Sequence, residues 1–292
     1  MISYNPKEWF TFIFRFHKSD TLRQLAPLMA ALGVYSWAVA YMELEYWKLS
    51  ENNHLRNLTV IHSLLGFVIS MLLVFRTNTA YDRWWEGRRL WGSLVNNSRN
   101  LAIKLAAILP PEDASNRHFF KRVIALYAST LAAHLQSEAT RLALDEQEHP
   151  DLKDLDKSKH LPNQVATLLF GRANKLYEEN KIKEAQLIVL NGELLSFTDV
   201  CGACERIKNT PIPFSYSIFI KKFIFFYVMT MPFGFVFSLG YWVIPVVIFV
   251  FYVLASIELI AEEIEDPFGG DANDLPTFKI ASNIKKHIGE IL

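Results

Sequence analysis

The chain has 292 residues with 30 basic and 30 acidic side chains, so its formal net charge is zero. This balance argues against a nucleic-acid-binding protein, which carries an excess of basic residues. The two cysteines argue against a secreted domain held together by disulfides. The charges are unevenly placed, because 36 of the 60 lie between Arg76 and Thr210, while apolar residues dominate on either side. This distribution is typical of a membrane protein that carries a large water-exposed insert.

Residues 1–20 combine aromatic and apolar side chains with a few charges, as in the stretch EWFTFIFRFH. Lys7, Glu8 and Arg15 interrupt the apolar positions and no small-residue cleavage site follows, so a secretory signal peptide is not indicated. We expect this segment to form an interfacial helix that lies along the membrane surface.

Two uncharged segments follow, residues 25–42 and residues 57–75. Each is close to the ~20 residues that a helix needs to cross the hydrocarbon core of a bilayer. Basic side chains are frequent before the first segment and after the second: Lys7, Arg15, Lys18 and Arg23, then Arg76, Arg83, Arg88 and Arg89. Because basic loops stay on the cytoplasmic side, we expect both chain termini to be cytoplasmic, in a multi-pass protein of the inner (plasma) membrane.

The longest uncharged segment, residues 223–257, has 35 residues. One helix of that length would be about 50 Å long, which is too long for a single crossing. Gly240 and Pro245 mark the position where the segment can fold back. We therefore expect a tight hairpin of two helices, residues 214–239 and 241–262, which brings the number of membrane spans to four.

The segment between the second and third spans has apolar residues at helical spacing and no strand pattern. Pro110 and Pro111 end one helix, and Asp113 or Ser115 is suited to cap the next. We therefore predict an all-α membrane protein with four transmembrane helices per subunit and a large cytoplasmic helical bundle. The expected divisions are residues 1–20 (interfacial helix), 21–78 (spans one and two), 79–212 (cytoplasmic region), 213–262 (spans three and four) and 263–292 (cytoplasmic tail).

Phe67, Met71 and Phe75 recur every four residues in the second span and so share one face of its helix. A neighbouring face has small side chains that allow close helix packing: Ser63, Gly66, Ser70 and Thr77. The simpler explanation of the larger side chains is a stripe that faces lipid or the core. Alternatively, copies of this helix around a shared axis stack them into hydrophobic rings, which gate a pore by dewetting. One subunit has too few helices to enclose a pore, so the second explanation requires an oligomer.

The stretch NTPIPFSYS contains Pro211 and Pro213, which prevent a continuous helix where the chain re-enters the membrane. It is either a stiff elbow or a support that projects Ile212 into a central path.

Cysteine and histidine give weak signals. Cys201 and Cys204 lie in a helical stretch with no second ligand pair nearby, which favours structural cysteines. The alternative is a membrane thiol oxidoreductase that uses both thiols. The eight histidines show no ligand spacing along the sequence, and we expect His62 in the second span to be hydrogen-bonded within the packing.

The fourth span ends in the acidic stretch EEIEDPFGGDAND. Carboxylates near the C-terminal end of a helix are disfavoured by the helix dipole, so they need basic partners or a bound cation. The stretch lacks the EF-hand pattern of calcium ligands. We expect a solvated helix end paired with lysine and arginine, with a cation site as the alternative.

Four stretches, in this order, resemble the bestrophin family and most closely its bacterial members: EWFTFIFRFH, VFRTNTAYDRWWEGRRLWG, CERIKNTPIPFSY and EEIEDPFGGDANDLP. The resemblance extends over nearly the whole chain. It implies a homopentameric ion channel in the lipid membrane, with one pore on the oligomer axis. It implies neither an enzyme nor a nucleic-acid partner.

The resemblance also implies roles for particular residues. Phe67, Met71 and Phe75 correspond to the family's hydrophobic neck. Ile212, held between Pro211 and Pro213, corresponds to its cytoplasmic aperture. Kinship with the bacterial members leads us to expect monovalent cations such as Na⁺, and the alternative is chloride or another anion, as in animal bestrophins.

Animal bestrophins bind Ca²⁺ in an acidic turn that follows Pro-Phe-Gly. The resemblance marks Asp271 and Asp274 as the corresponding candidate site, but the positions around them have lost their charge: Gly270, Ala272 and Asn273. We therefore expect a structural elbow and no bound cofactor.

Overall fold

The computed structural model describes residues 21–48, 57–136, 155–156 and 159–292. Every regular element within these residues is a helix, which confirms the all-α class. The predicted interfacial helix of residues 1–20 lies outside the described residues. The helices are α1 (Thr21–Tyr41, continued by a π-helical turn at Met42–Tyr46), α2 (Leu58–Ile108), α3 (Ala114–Leu135), α4 (Leu161–Glu178), α5 (Glu184–Asn209), α6 (Phe214–Leu239), α7 (Val243–Glu265) and α8 (Thr277–Ile291).

Helix α2 is continuous over 51 residues. The sequence predicted a span at residues 57–75 and a cytoplasmic helical region from residue 79, and no proline interrupts the chain between them. At 1.5 Å per residue α2 is about 76 Å long, more than twice the thickness of a bilayer core. Its first half therefore belongs to the membrane layer and its second half extends beyond it.

The hairpin between the last two spans is confirmed. Helix α6 ends at Leu239, a short 3₁₀ turn covers Gly240–Trp242, and α7 begins at Val243. Gly240 has a φ of +54°, a conformation that side chains with a Cβ rarely adopt. The glycine is therefore the residue that lets the apolar segment reverse.

One apolar core joins α1, the first half of α2, α6 and α7, with Ile69, Val228 and Val247 among its buried members. A Cβ on Gly66 would lie 2.9 Å from the hydroxyl oxygen of Tyr227, so α2 packs closely against α6 at Gly66, whereas Ser63 and Ser70 of the small-residue face are exposed. His62 is buried, and its Nε2 lies 3.0 Å from Thr230 Oγ1, which confirms the packing role expected for it.

A second core joins the last half of α2 to α3, α4, α5 and α8. Its largest buried side chains are aromatic, and the Tyr127 hydroxyl donates to the Phe197 carbonyl oxygen at 2.7 Å. Asp113 caps α3 by accepting from the Asn116 backbone N–H at 3.3 Å, as predicted.

Four helical stretches of the described residues are long and apolar enough to cross a membrane: 21–46, 58–108, 184–209 and 214–265. The last one contains both α6 and α7, so it accounts for two of the predicted spans. Helix α5 also qualifies, but its buried Leu190, Phe197 and Cys204 pack in the same core as α3 and α4. We therefore assign α5 to the second bundle, and the domain boundaries remain predictions.

Candidate ion pathway

The three predicted neck residues lie on the outer face of α2. Phe67 is 67% exposed, Met71 44% and Phe75 57%, whereas Ile69 and Leu73 on the opposite face are buried. The interpretation of Phe67, Met71 and Phe75 as a core stripe is therefore wrong. In one subunit this face is left uncovered, which fits contact with lipid or with a shared axis.

The same face changes character after Phe75. Asn78 and Asp82, three and seven residues further on, are also exposed, and helical spacing places them below Phe75 on the same side. Arg89 follows after a further two turns and is exposed as well. The apolar face thus ends at Phe75, and the first charged side chain beyond it is a carboxylate.

Arg76, the next residue along, points to the opposite side and is almost completely buried, with 1% exposure. Its Nη2 lies 2.7 Å from Glu265 Oε2, and its Nε lies 3.5 Å from Glu258 Oε1. Both carboxylates belong to α7. This buried ion-pair group ties the end of the apolar half of α2 to the end of the fourth span.

The predicted elbow is confirmed as a break in the helix, since α5 ends at Asn209 and α6 begins at Phe214. The backbone N–H of Ile212 donates to Glu265 Oε1 at 2.6 Å. Glu265 therefore connects Arg76, just past the candidate neck, to Ile212, the candidate aperture.

Arg83, two turns beyond Arg76 along α2, also holds the proline elbow between α5 and α6 in place. Its Nη2 donates to the Ile207 carbonyl oxygen at 2.6 Å, its Nε donates to the Glu265 carbonyl oxygen at 3.0 Å, and its Nη1 donates to the Thr210 carbonyl oxygen. From the sequence, Arg76 and Arg83 served only as markers of the cytoplasmic side, and their contacts with α7 and the elbow were not predicted. A signal was present, because both follow directly on an uncharged span, but arginine there is also the ordinary mark of a cytoplasmic loop.

Side chains of the protein pair with the carboxylates of the acidic elbow. Lys221 Nζ lies 2.8 Å from Glu262 Oε2. Asn273 donates to Glu263 from its backbone N–H at 3.3 Å and from its side-chain amide at 3.0 Å. With Arg76 on Glu258 and Glu265, these contacts provide the partners that carboxylates need at the C-terminal end of a helix.

The Pro-Phe-Gly-Gly turn that follows α7 is packed against α2. Phe268 is fully buried, and a Cβ on Gly87 would lie 3.1 Å from its ring. The indole N–H of Trp84 donates to the Asn273 carbonyl oxygen at 3.0 Å. The Phe268 ring thus acts as a plug that fills the space left beside Gly87, which has no side chain.

Asp271 and Asp274, the candidate calcium ligands, lie in this same turn but in different surroundings. Asp271 is exposed, whereas Asp274 is buried and its Oδ2 accepts from the Asp271 backbone N–H at 2.6 Å. Burial raises the pKa of Asp274 to about 6. The Asp274 carboxylate already closes the turn through a backbone hydrogen bond.

Cys201 and Cys204 are free thiols buried in α5. Burial raises the pKa of Cys201 to about 12, and it also raises the pKa of Cys204. Because the thiolate is the reactive form, neither residue is suited to thiol exchange at neutral pH.

Comparison with known proteins identifies the family. The model of the family described as Bacterial/Fungal Bestrophin protein matches residues 1–290, so the chain belongs to that family. The voltage-dependent anion channel-forming protein alr2987 of Nostoc sp. is 37% identical over 77% of this chain and 75% of its own length. Protein YneE of Escherichia coli K12, named in the same way, is 31% identical over 98% of this chain and 92% of its own.

The fold agrees with that assignment. A crystal structure of a bacterial bestrophin homologue from Klebsiella pneumoniae matches with a TM-score of 0.80 and 26% identity, covering 92% of this chain and 98% of that one. The two relatives are named as channel-forming proteins and not as enzymes. The chain is accordingly a multi-pass membrane protein of the bestrophin family, and the thiol oxidoreductase alternative is wrong.

Proposed function

We propose that this chain is one subunit of a homopentameric ion channel, with its permeation path on the axis that the five subunits share. The observation that carries the proposal is the uncovered face of α2. Phe67, Met71 and Phe75 are exposed along this face, and the exposed Asp82 follows them on the same side. Four spans in one subunit are too few to enclose a path for ions. Relatives named as channel-forming proteins support the same conclusion.

In this proposal the neck is the gate. Rings of phenylalanine and methionine exclude water when narrow and admit ions when they widen. Ile212 forms a second constriction on the cytoplasmic side, and its position depends on Glu265, which accepts its N–H at 2.6 Å. The same carboxylate is bound to Arg76, so a displacement of α2 acts on both constrictions.

We propose monovalent cations, such as Na⁺, as the permeating ions. The neck side chains carry no charge, so the nearest field on that face comes from Asp82. Five carboxylates around an axis attract cations. The second candidate is an anion, because relatives such as the Nostoc protein are named as anion channel-forming.

Reversal potentials in asymmetric NaCl distinguish the two candidates. A reversal potential close to the equilibrium potential of Na⁺ supports cations, and one close to that of Cl⁻ supports anions. Asp82→Asn should reduce a cation preference and leave the uncharged neck unchanged. If Asp82→Asn does not move the reversal potential, Asp82 does not set selectivity.

We propose further that the acidic elbow is structural and that the channel needs no bound cofactor. The contacts of Glu262 and Glu263 with Lys221 and Asn273, and of Asp274 with the Asp271 N–H, support this view. Titration with Ca²⁺, compared with Mg²⁺, should give equal changes in thermal stability. A clearly larger stabilisation by Ca²⁺ would assign Asp271 and Asp274 to a calcium site.

The proposed setting is the inner (plasma) membrane, with both termini in the cytoplasm, and with permeating ions, lipid and other copies of the chain as its partners. This orientation places the elbow and the second bundle on the cytoplasmic side. Labelling of single cysteines introduced at Lys183 and at Trp242 in intact cells tests it, since Lys183 should be protected and Trp242 accessible from outside.

Flux measurements on purified protein in liposomes test the central part of the proposal. Phe75→Ala and Ile212→Ala should each raise conductance, because each removes the larger part of a side chain from a constriction. Phe249→Ala is the matched control, since Phe249 on α7 is similarly exposed but lies on a different helix. Unchanged single-channel current in both test variants would contradict the proposal.

A further inference from the structure

Three side chains that are far apart in the sequence meet at one end of the second bundle. His134 lies in the last turn of α3, His160 immediately precedes α4, and Glu205 lies near the end of α5. Nε2 of His134 lies 2.5 Å from Glu205 Oε1, and Nε2 of His160 lies 2.6 Å from the same oxygen. The donor atoms of the three side chains all lie within 4.8 Å of one another.

We propose that His134, His160 and Glu205 form a binding site for Zn²⁺ or a chemically similar divalent transition-metal ion. Two imidazole nitrogens and one carboxylate oxygen are a ligand set that zinc uses where a further position stays open to water. Each of the three side chains is partly exposed, between 15% and 32%, so an ion and a water molecule can reach the site from solvent.

The spacing of the three atoms requires a small adjustment. In a tetrahedral site with bonds of about 2.0 Å, ligand atoms lie about 3.3 Å apart. The two nitrogens must therefore move from the Glu205 oxygen by less than about 1 Å, which rotation of the side chains provides. The three residues belong to three different elements, so one bound ion would bridge all three.

Metal binding also changes the tautomer of His160. Its Nδ1 now accepts from the Asn163 backbone N–H at 3.2 Å, which leaves the proton of the neutral ring on Nε2, toward Glu205. When Nε2 binds a metal, the proton of the neutral ring moves to Nδ1. The site therefore exchanges one long capping hydrogen bond and two hydrogen bonds to Glu205 for three coordination bonds.

The nature of the ligands sets the preference among ions. Imidazole nitrogen suits Zn²⁺, Ni²⁺ and Cu²⁺, whereas Mg²⁺ and Ca²⁺ prefer a shell of oxygen atoms. Bound metal would link the ends of α3, α4 and α5. Glu205 precedes Ile207, whose carbonyl oxygen Arg83 holds, by half a turn. A metal here would thus stiffen the support of the elbow.

Zinc titration of the purified, tag-free, chelator-treated protein tests the site. We expect one tightly bound Zn²⁺ per chain by calorimetry and elemental analysis, and no comparable binding of Mg²⁺. His160→Asn removes the imidazole but retains a good capping side chain, so it should weaken zinc binding without loss of fold. Glu205→Gln should weaken it by at least about 100-fold, since even loss of an outer partner typically costs 10- to 100-fold.

His118→Ala is the matched control, because His118 is exposed on α3 outside the cluster. Its zinc affinity should equal that of the parent protein. Co²⁺ gives a second readout, since visible absorption bands should form in the parent protein and in His118→Ala but not in His160→Asn. Parent protein without tight zinc binding, or His160→Asn with undiminished affinity and the same Co²⁺ spectrum, would overturn the proposal. None of these readouts depends on ion flux.

Discussion

The two halves of the continuous helix α2 differ in how their side chains are buried. The half beyond Arg76 buries Trp91, Leu94 and Leu101 completely in a core shared with four other helices. The half before Arg76 buries a narrow face and leaves Phe67 and Phe75 more than half exposed. The buried face of the first is covered within one subunit, whereas the outer face of the second is left for contact with lipid or other subunits.

In the proposed channel, this difference separates the side chains that stabilise the fold from those that affect ion flux. Buried side chains beyond Arg76 should affect folding and leave the ion path unchanged if the fold survives. Side chains on the outer face before Arg76 should affect flux with little effect on the stability of the subunit. Arg76 itself lies at the boundary and contributes to both.

The largest expected effect contrasts Trp91→Ala with Phe67→Ala. Truncation of a fully buried aromatic side chain typically costs about 3–5 kcal/mol, so Trp91→Ala should strongly lower the midpoint of thermal unfolding in detergent. Phe67→Ala should change it little, because the side chain is 67% exposed. Loss of helical circular dichroism on heating measures both. Equal losses in the two variants would contradict the division of α2.

A similar contrast exists between two ion pairs. Arg76→Met leaves the buried carboxylate of Glu258 and the largely buried carboxylate of Glu265 without their cation, which should cost about 3 kcal/mol. Lys221→Met removes the partner of Glu262, but that pair is about half exposed, so at most about 1 kcal/mol should be lost. Thermal unfolding of the two variants ranks them, and a reversed order would show that Arg76 is not the boundary.

A smaller difference in stability is expected between alanine substitutions at two glycines, one packed and one with open space beside it. Gly87→Ala places a methyl group 3.1 Å from the Phe268 ring, so we expect a net destabilisation of about 1–2 kcal/mol after the gain in helix propensity. Gly171→Ala in α4 meets nothing within 4 Å and should be neutral or stabilising. If Gly87→Ala is equally well tolerated in thermal unfolding, Phe268 does not act as a plug.

The smallest expected effect concerns the cap of α3 and depends on pH. Hydrogen bonds from Asn116, together with Lys181, lower the pKa of Asp113. The stabilisation by its ionised form is therefore present above the ordinary pKa of about 4 and is lost as pH falls through the lowered value. Asp113→Ala should cost about 1 kcal/mol at neutral pH.

The difference between Asp113→Ala and the parent protein should shrink when thermal unfolding is followed down to about pH 3. Asp113→Asn serves as the control, because asparagine caps a helix about as well but does not titrate. A gap between Asp113→Ala and the parent protein that grows toward low pH would contradict the assignment.

Features that rest on local chemistry could be predicted from the sequence. Gly240 and the prolines at 110, 111, 211 and 213 lie at helix ends, because glycine allows the positive φ of a reversal and proline lacks the N–H that continues a helix. Spacing by four placed Phe67, Met71 and Phe75 on one face, and the structure agrees. The burial of Arg76 could not be predicted, because an arginine after an apolar segment is usually exposed and its partners lie about 180 residues away.

The His134, His160 and Glu205 cluster could not be predicted for the same reason. Its members are separated by 26 and 45 residues, and no metal-binding motif has that spacing. They meet because three helices pack on one another, so the absence of a motif said nothing about the folded molecule. The full length of α2 could not be predicted for a different reason, since the change from apolar to charged residues at Arg76 indicates where the apolar half ends and not how far the helix continues.

The claim on which this account depends is that the outer face of α2 borders the ion path. Modification of Phe75→Cys with a positively charged thiol reagent tests it most directly, with flux recorded before and after, and with Phe249→Cys as control. The two natural cysteines are buried, which keeps the background reaction low. We expect modification to reduce the flux of Phe75→Cys sharply and to leave Phe249→Cys unchanged. Modification of Phe75→Cys without any change in flux would contradict the account.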